Sequence, residues 1–470
     1  MMRIALLLVP LLISQKVSAE LIIDRNQIGD LERSEELIFD DTQFFEDFEQ
    51  GEGSEKQAWL ENFTVRISQQ VFGQINTHSV EFPTGQKFFK KREIEHNRLG
   101  INVRYSNAFA SKWLLQGTGQ ARFYWAQDYE FEANKDHVET EYRVNELFVQ
   151  KSFGHHSIKF GRQTVVWGET IGNSVLDVIN HAEFRDFSII DIEDARLNQW
   201  MLVWDVYRNQ NQLSSFLNFY PEFNPVPVEG SPLFFALPFK LKEYNRDGDI
   251  LFEAGVQWRK SYETSDVAIM MAYLYENQLR YRLSDPELSE ISGIKNDFLL
   301  LGLSANRAIG KLLLTIDLAV RHGILPDETM FAVPTLETIT ENTKDQVGAS
   351  FGFEYGMTSK QDISLSMQVK KTIDERKGVD SNFTLTNEGA HGQWLVRYSN
   401  RMPEKNIVLT ATLQGDLKRN SSLVSIEADF ALSDQLEMGW HVLYIASNRN
   451  SQMVLFDDDL RLGVTVAYSF

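Results

Sequence analysis

The chain ends with the stretch 460-LRLGVTVAYSF-470, in which apolar and polar residues alternate. Because successive side chains of a β-strand point to opposite faces, this alternation predicts a strand with one apolar and one polar face. Two further stretches, Arg98–Asn107 and Ile407–Gln414, alternate in the same way. In the last strand the apolar face consists of Leu462, Val464, Val466, Tyr468 and Phe470, and the other face of Arg461, Gly463, Thr465, Ala467 and Ser469.

Together with this strand, the sequence contains about eighteen such segments from Glu61 onward, joined by short and long connections in turn. A bacterial outer-membrane barrel has this pattern, with an even number of strands, short periplasmic turns and long extracellular loops. We therefore predict an all-β fold, a transmembrane antiparallel up-and-down β-barrel of about eighteen strands, with sixteen as the alternative. The short connections include Ala108–Lys112, Gly154–His155, Ala308–Gly310 and Ser433–Asp434, and the long ones His78–Asn97, Thr164–Gln199, Pro221–Asp249, His322–Gln346 and Thr372–Gln393.

A soluble all-β protein would also alternate, so the residues at the strand ends decide between the two classes. Tryptophan and tyrosine occur near the ends of the predicted strands, where amphipathic rings form the girdles of a membrane barrel. A mean hydropathy of -0.29 is compatible with a barrel, because half of each strand would face water in the lumen. We expect the bacterial outer membrane as the location, with membrane lipid, lipopolysaccharide and the barrel-assembly machinery as partners. The aromatic residues are Trp113, Trp125, Tyr142, Trp200, Trp258, Tyr275, Tyr355, Trp394 and Tyr468.

Two segments precede the predicted barrel, which occupies residues 61–470. Residues 1–19 have the charged start, apolar middle and small-residue end of a secretory signal peptide. Residues 20–60 are strongly acidic, with thirteen acidic residues between Glu20 and Lys56 in a chain of net charge -20. Interleaved phenylalanine and leucine leave three interpretations open: a tail, a partial plug of the lumen, or a peptide that docks on a periplasmic partner.

The composition excludes several functions. The chain has no cysteine, which excludes disulfides, thiolate metal sites and c-type haem attachment. Its nine histidines are scattered, and the adjacent His155 and His156 would point to opposite faces of a strand. The stretch 348-GASFG-352 matches the Gly-Xaa-Ser-Xaa-Gly pattern, but it lies inside an alternating strand-like segment and not at the strand-to-helix turn that a nucleophile elbow needs. We therefore expect no enzymatic activity, no cofactor, no metal site and no nucleic acid partner.

The third long connection carries the strongest local motif. It reads GRQTVVWGE at 161–169, LDVIN at 176–180, FRDF at 184–187 and DIEDAR at 191–196. This run resembles an uncharacterised family of Gram-negative outer-membrane barrels, often encoded beside RND-type exporters and a periplasmic lipid-carrier-like protein. More distantly it is similar to alginate-export and porin-like barrels. The resemblance implies that a substrate passes or is handled at the outer membrane.

This third loop is too rich in Trp, Ile, Leu and Val to remain in solvent, so we expect it to pack against other parts of the chain. In the porin-like barrels that it resembles, the third external loop folds inward and narrows the lumen. An alternative, compatible with the first, is that Arg162, Arg185 and Arg196 pair with neighbouring carboxylates to hold the loop. The candidate constriction residues are Arg162, Trp167, Glu169, Asp177, Arg185, Asp186, Asp191, Glu193 and Arg196.

A second set of charged residues would face the lumen from consecutive strands. By alternation, Arg98, Arg104, Arg122, Arg143 and Lys159 form a basic wall beside the acidic loop. Opposed charges of this kind create a transverse field that orients polar solutes. A polar lumen without such a field remains the alternative.

These observations predict a porin-like outer-membrane channel with an inward-folded third extracellular loop. The alternative is a dedicated outer-membrane partner that transports lipid or another hydrophobic cargo with an exporter and a periplasmic carrier. A barrel enzyme is a third class, which the scattered histidines disfavour.

Overall fold

The computed structural model describes most of the predicted barrel. The segments 1–19 and 20–60 lie outside the described residues, so their predicted roles stay predictions. No helix in the described part is long and apolar enough to cross a membrane. The described residues are 62–76, 78–81, 87–90, 94–109, 112–125, 140–183, 185–186, 188, 195–225, 240–242, 251–285, 290–325, 343–373, 390–417, 421–448 and 456–470.

The described residues contain 23 strands. Eighteen of them form one sheet. The strands are β1 (Phe63–Gln74), β2 (His78–Glu81), β3 (Lys87–Lys90), β4 (Ile94–Phe109), β5 (Trp113–Tyr124), β6 (Thr140–Phe153), β7 (His156–Gln163), β8 (Gln199–Arg208), β9 (Asn211–Asn218), β10 (Lys240–Lys242), β11 (Glu253–Ser261), β12 (Ser265–Tyr275), β13 (Arg280–Asp285), β14 (Glu290–Ile294), β15 (Asp297–Ile309), β16 (Leu312–Ile324), β17 (Lys344–Gly356), β18 (Gln361–Ile373), β19 (His391–Met402), β20 (Ile407–Asp416), β21 (Ser421–Ala431), β22 (Leu436–Ala446) and β23 (Asp459–Ser469).

The large sheet is closed. Strand β1 pairs antiparallel with both β4 and β23, and β9 pairs antiparallel with β11, so the ring has no free edge strand. The predicted antiparallel barrel of about eighteen strands is confirmed, and the alternative of sixteen is wrong. The remaining five strands lie in long connections, where β2 pairs with β3, and β10, β14 and β13 form a small sheet. The alternation of the sequence does not predict these small sheets.

Short turns join the strands at one rim. The β6–β7 turn contains Gly154 with φ +58°, and the β15–β16 turn contains Gly310 with φ +63°. Asn209 and Asn406 adopt the same left-handed conformation in the β8–β9 and β19–β20 turns. Glycine and asparagine tolerate positive φ, so these residues allow the tight reversals. The predicted third long connection, which joins β7 to β8, lies at the opposite rim.

The outer surface of the barrel is apolar. On β15 the side chains of Leu299, Leu301 and Leu303 are 48%, 54% and 38% exposed, whereas those of Leu300 and Ser304 are buried. Outward leucine, isoleucine, phenylalanine and tryptophan side chains recur around the ring. A water-soluble protein does not expose apolar surface on this scale, so this surface faces lipid. The protein is a transmembrane barrel of the kind found in the bacterial outer membrane.

The inner surface is only partly polar. On β20 the inward residues Thr410, Thr412 and Gln414 are polar, as the alternation predicts. On β12 the inward residues include Met270 and Leu274, which are buried in an apolar cluster. The expectation that the inner half of every strand faces water is therefore wrong for this part of the wall, because another part of the chain covers it.

Candidate functional site in the barrel lumen

The segment 164–198 joins β7 to β8, and its residues between Val165 and Ile179 cover this apolar part of the inner wall. Its side chains Trp167, Val175, Leu176 and Ile179 are almost fully buried and pack in one cluster with inward residues of β8, β9, β12, β15 and β16. The Trp167 ring meets the Phe216 ring edge to face, with 5.4 Å between centroids. Apolar burial is thus one force that holds the segment in place.

Glycines in the wall make room for these side chains. A Cβ atom at Gly302 on β15 would lie 2.5 Å from Leu176, and one at Gly348 on β17 would lie 2.9 Å from Val175. The segment therefore fits a wall whose inner face lacks side chains at these contact points.

Asp317 on β16 anchors the segment by hydrogen bonds. The backbone N–H groups of Glu169 and Thr170 donate to its two carboxylate oxygens, each at 3.0 Å. The hydroxyls of Ser174 and Ser304 donate to the same carboxylate at 2.8 and 2.7 Å. Asp317 has no exposed surface, and these four donors supply the hydrogen bonds that a buried carboxylate requires.

Strands β16 to β18 supply further bonds. The Ser350 hydroxyl accepts from the N–H of Val175 at 2.9 Å and donates to the carbonyl of Asn173 at 2.6 Å. The Arg321 side chain donates to the carbonyl of Val175 at 2.7 Å, and the Gln368 side chain donates to the carbonyl of Asn173 at 3.0 Å. The turn 169–176 is thus fixed through its own backbone, a geometry that tolerates little movement.

A charged network attaches the segment to β4, β5 and β6. Asp186 lies 2.7 Å from the guanidinium of Arg98 and 3.5 Å from that of Arg122. Glu183 lies 2.6 Å from both Arg143 and Arg185. These carboxylates are buried, so the arginines provide the compensation that buried charge requires.

Both carboxylates remain ionised in the network. Burial by itself would raise the pKa of Asp186, but Arg98, His96 and Arg122 hold that pKa far below its usual range. Burial also opposes ionisation of Glu183, but hydrogen bonds and charge from Arg185 lower its pKa. The pKa of Arg185 is raised in turn, because the Glu183 bonds outweigh the effect of burial.

Two further candidate constriction carboxylates are also paired. Glu169 lies 3.2 Å from Arg259 on β11, and Asp177 lies 3.0 Å from Arg196. The predicted pairing of loop arginines with neighbouring carboxylates is thus observed for Arg196, and for Arg185 with Glu183. Arg162 instead forms a bidentate ion pair with Glu222 of the next long connection, with N–O distances of 3.0 and 2.8 Å. Asp191 and Glu193 lie outside the described residues.

The residues of the predicted basic wall fall into two groups, the arginines that pair with carboxylates of the segment and the remaining two residues, Arg104 and Lys159. Arg98, Arg122 and Arg143 touch carboxylates of the segment or of their own strands, so the two charged sets meet directly rather than across a gap. Arg104 shares the inward face of Arg98 but is exposed. The Lys159 ammonium lies 4.6 Å from the centre of the Phe148 ring.

Sequence reasoning missed the wall residues that receive the segment. Asp317 stands in LLLTIDLAV, an otherwise apolar strand, and Gly302 interrupts FLLLGLSAN. A buried charge and a strand glycine are both local signals of a close neighbour. Glu141, Glu183 and Glu222 have no comparable signal, because acidic residues in and beside loops are ordinary.

Comparison with protein families identifies the group to which the chain belongs. Residues 94–470 match the model of a family described as protein of unknown function (DUF1302). The chain belongs to this family. No curated protein matches the chain.

Solved structures of outer-membrane proteins are similar in architecture. The chain is 7% identical to Acinetobacter baumannii OccAB1, with a TM-score of 0.49, over 87% of this chain and 96% of that one. It is 9% identical to Pseudomonas aeruginosa OccK9 (OpdG), with a TM-score of 0.47, over 88% and 99%. It is 10% identical to OmpT of Vibrio cholerae lacking loop L8, with a TM-score of 0.39, over 87% and 100%. Because the sequence identities and TM-scores are low, no function of these proteins is assigned to this chain.

Proposed function

We propose that the protein is a channel of the bacterial outer membrane and that the segment 164–198 is its third extracellular loop, folded inward to narrow the lumen. The bonds of this segment to both sides of the ring support the proposal. Its residue Asp186 contacts Arg122 on β5, and its residue Val175 bonds to Ser350 on β17. Nine steps around the ring of eighteen separate β5 from β17, which places the two contacts on opposite walls.

A polar passage beside the segment is expected from the size of the barrel. Barrels of about 16–18 strands leave an aqueous channel unless loops fill it. The inward residues of β20 and β21 include Thr410, Thr412 and Glu427, which are half-buried polar side chains. We propose that small hydrophilic solutes pass along this wall.

Conductance in planar bilayers tests the proposal. The intact protein should conduct weakly, and a variant in which a short Gly-Ser linker replaces residues 166–182 should conduct more strongly. A matched variant with the same shortening in the β16–β17 connection, at residues 326–342, should resemble the intact protein. Absence of conductance in both the intact protein and the 166–182 variant would reject the channel.

One observation favours a second function. If the segment left its place, the inward residues Met270, Leu300 and Phe216 would become accessible and would form an apolar wall. Such a wall suits lipid or another hydrophobic cargo, transported with an exporter and a periplasmic carrier. Co-purified lipid in mass spectra, together with no conductance in any variant, would favour this function over the channel.

We propose no enzymatic activity. Purified protein should not hydrolyse ester or peptide substrates. Turnover that a single histidine or serine substitution abolishes would contradict this expectation.

A further inference from the structure

At one place on the rim that carries the long loops, the strands of the barrel wall end earlier than their neighbours. Strand β7 ends at Gln163, and its pairing with β6 begins at Leu147 opposite Arg162. Residues 140–146 of β6 therefore extend beyond the end of β7. Strands β7 and β9 contain eight residues each, fewer than the roughly 9–11 that usually span the hydrocarbon layer. The wall above β7 thus has a notch near the outer membrane leaflet.

A pocket of about 380 Å³ lies in this notch. One part of its lining is charged and alternates in sign. The guanidiniums of Arg143, Arg162 and Arg185 face the carboxylates of Glu141 and Glu222. The Glu141 oxygen lies 3.1 Å from Arg143 and 3.3 Å from Arg185. Both lining carboxylates are 24% exposed, so a ligand can reach them.

Hydrogen-bonding capacity remains in this charged lining. Within the described residues, Arg143 bonds to both of its carboxylates through Nη2. Arg185 bonds to Glu141 and Glu183 through Nη2 and Nε. The Nη1 groups of Arg143 and Arg185 are then available to an acidic group of a ligand. The lining thus presents guanidinium donors together with partly exposed carboxylate acceptors, which suits a ligand with one charge of each sign.

The other part of the lining is apolar. Leu197, Phe223 and Pro225 line the pocket together with Tyr220, which is 50% exposed. On the outer surface at the same edge, Phe160 and Phe219 meet edge to face at 6.4 Å. A ligand with an apolar chain would find apolar contacts in the pocket and further apolar surface beside it.

We propose that this pocket binds a zwitterionic amphiphile, a molecule with a primary ammonium group, an acidic group and an apolar chain. The acidic group bonds to Arg143 and Arg185, and the ammonium group bonds to Glu222 and Glu141. The apolar chain lies against Tyr220 and leaves through the notch. This site goes beyond the channel, because binding at the rim does not require conduction.

Calorimetric titration of the purified full chain in a nonionic detergent tests the site, with dodecyl phosphoethanolamine as the zwitterion and dodecyl phosphate as the anion. Arg185→Gln should weaken binding of both probes about tenfold, because a charge-assisted bond is lost. Glu222→Gln should weaken binding of the zwitterion by a similar factor but leave the anion bound at least as tightly. Arg104→Gln, a lumen arginine outside the pocket, should change neither.

This pattern separates recognition from a merely structural role. An equal loss of both probes in Glu222→Gln would show that Glu222 only positions Arg162, and would overturn the proposal. No change in Arg185→Gln, or an equal loss in Arg104→Gln, would do the same.

A second variant leaves the ion pairs intact. Tyr220→Ser should weaken binding of dodecyl phosphoethanolamine several-fold but not that of phosphoethanolamine without a chain. If phosphoethanolamine binds to the intact protein as tightly as the amphiphile, the proposed apolar contact is wrong. Conductance of the same preparations keeps the two proposals distinct, since a conducting protein without binding would refute only the site.

Discussion

The two walls that hold the segment 164–198 differ in chemistry. On β12 to β18 the segment meets apolar side chains, glycines and the buried carboxylate of Asp317. On β4 to β6 it meets arginines through Asp186 and Glu183. The first contact relies on burial and fixed backbone geometry, and the second on charge. The first wall should therefore hold the segment firmly, whereas the second should respond more to the ionic composition of the medium.

Asp317→Ala should have the largest effect. The substitution leaves two backbone N–H groups and two hydroxyls without their acceptor, at about 1–3 kcal/mol for each buried group. The segment should then detach from β16 and the mean single-channel conductance should rise. Asp429→Asn, which removes an inward carboxylate on β21, is the control and should leave the conductance near that of the intact protein. Equal conductance in all three proteins would show that the anchor does not set the channel width.

Asp186→Asn should loosen the opposite wall. Loss of one partner of a buried ion pair costs about 3–5 kcal/mol, since the buried arginine is left uncompensated. Trypsin should cleave after Arg196 faster in this variant than in the intact protein, while Asp429→Asn should be cleaved at the original rate. Because the pKa of Asp186 is held below its usual range, its contribution should be complete above about pH 4 and lost only in stronger acid. Unchanged cleavage would show that the apolar wall alone holds the segment.

Gly302→Val probes the fit at the apolar wall. The new Cβ atom would meet Leu176 at 2.5 Å and Met270 at 2.6 Å, and overpacking of this kind costs about 1–3 kcal/mol. The segment should shift and the conductance should rise, less than in Asp317→Ala. Gly356→Val controls for glycine loss, because the nearest atom to the added Cβ is the Lys311 carbonyl oxygen at 3.9 Å. A rise in the Gly356 variant alone would contradict the proposed contact.

The combined variant Glu169→Gln and Asp177→Asn should have the smallest effect. Each carboxylate is already paired, with Arg259 and Arg196 respectively, so its field in the lumen is largely compensated. The reversal potential in a salt gradient should move by only about a few millivolts toward anion preference. Arg104→Gln should move it in the opposite direction. A large shift in the first variant would show that these carboxylates act without their partners.

The alternation of the sequence was sufficient to predict the barrel, because the lipid face imposes the same rule on each strand. Leu462 and Val466 of the last strand are exposed on the outer surface as predicted. The inner face follows no such rule, since its residues depend on what packs against them. Met270 and Leu300 point inward and are apolar because the segment covers them, a contact between positions about a hundred residues apart. The residues of the segment could be nominated from their composition, but their partners on the wall could not.

The most direct test of the proposed constriction uses a disulfide cross-link. Because the sequence contains no cysteine, introduced cysteines can pair only with each other. The hydroxyls of Thr170 in the segment and Thr315 on β16 are 3.4 Å apart, a separation that suits a disulfide between cysteines at these positions. The pair Thr170→Cys and Thr315→Cys should be made in the Asp317→Ala background, and single-channel conductance measured before and after reduction. We expect a low conductance when the bond is formed and a reversible increase when it is reduced. Failure of the bond to form, or equal conductance in both states, would contradict the proposal that the docked segment sets the width of the channel.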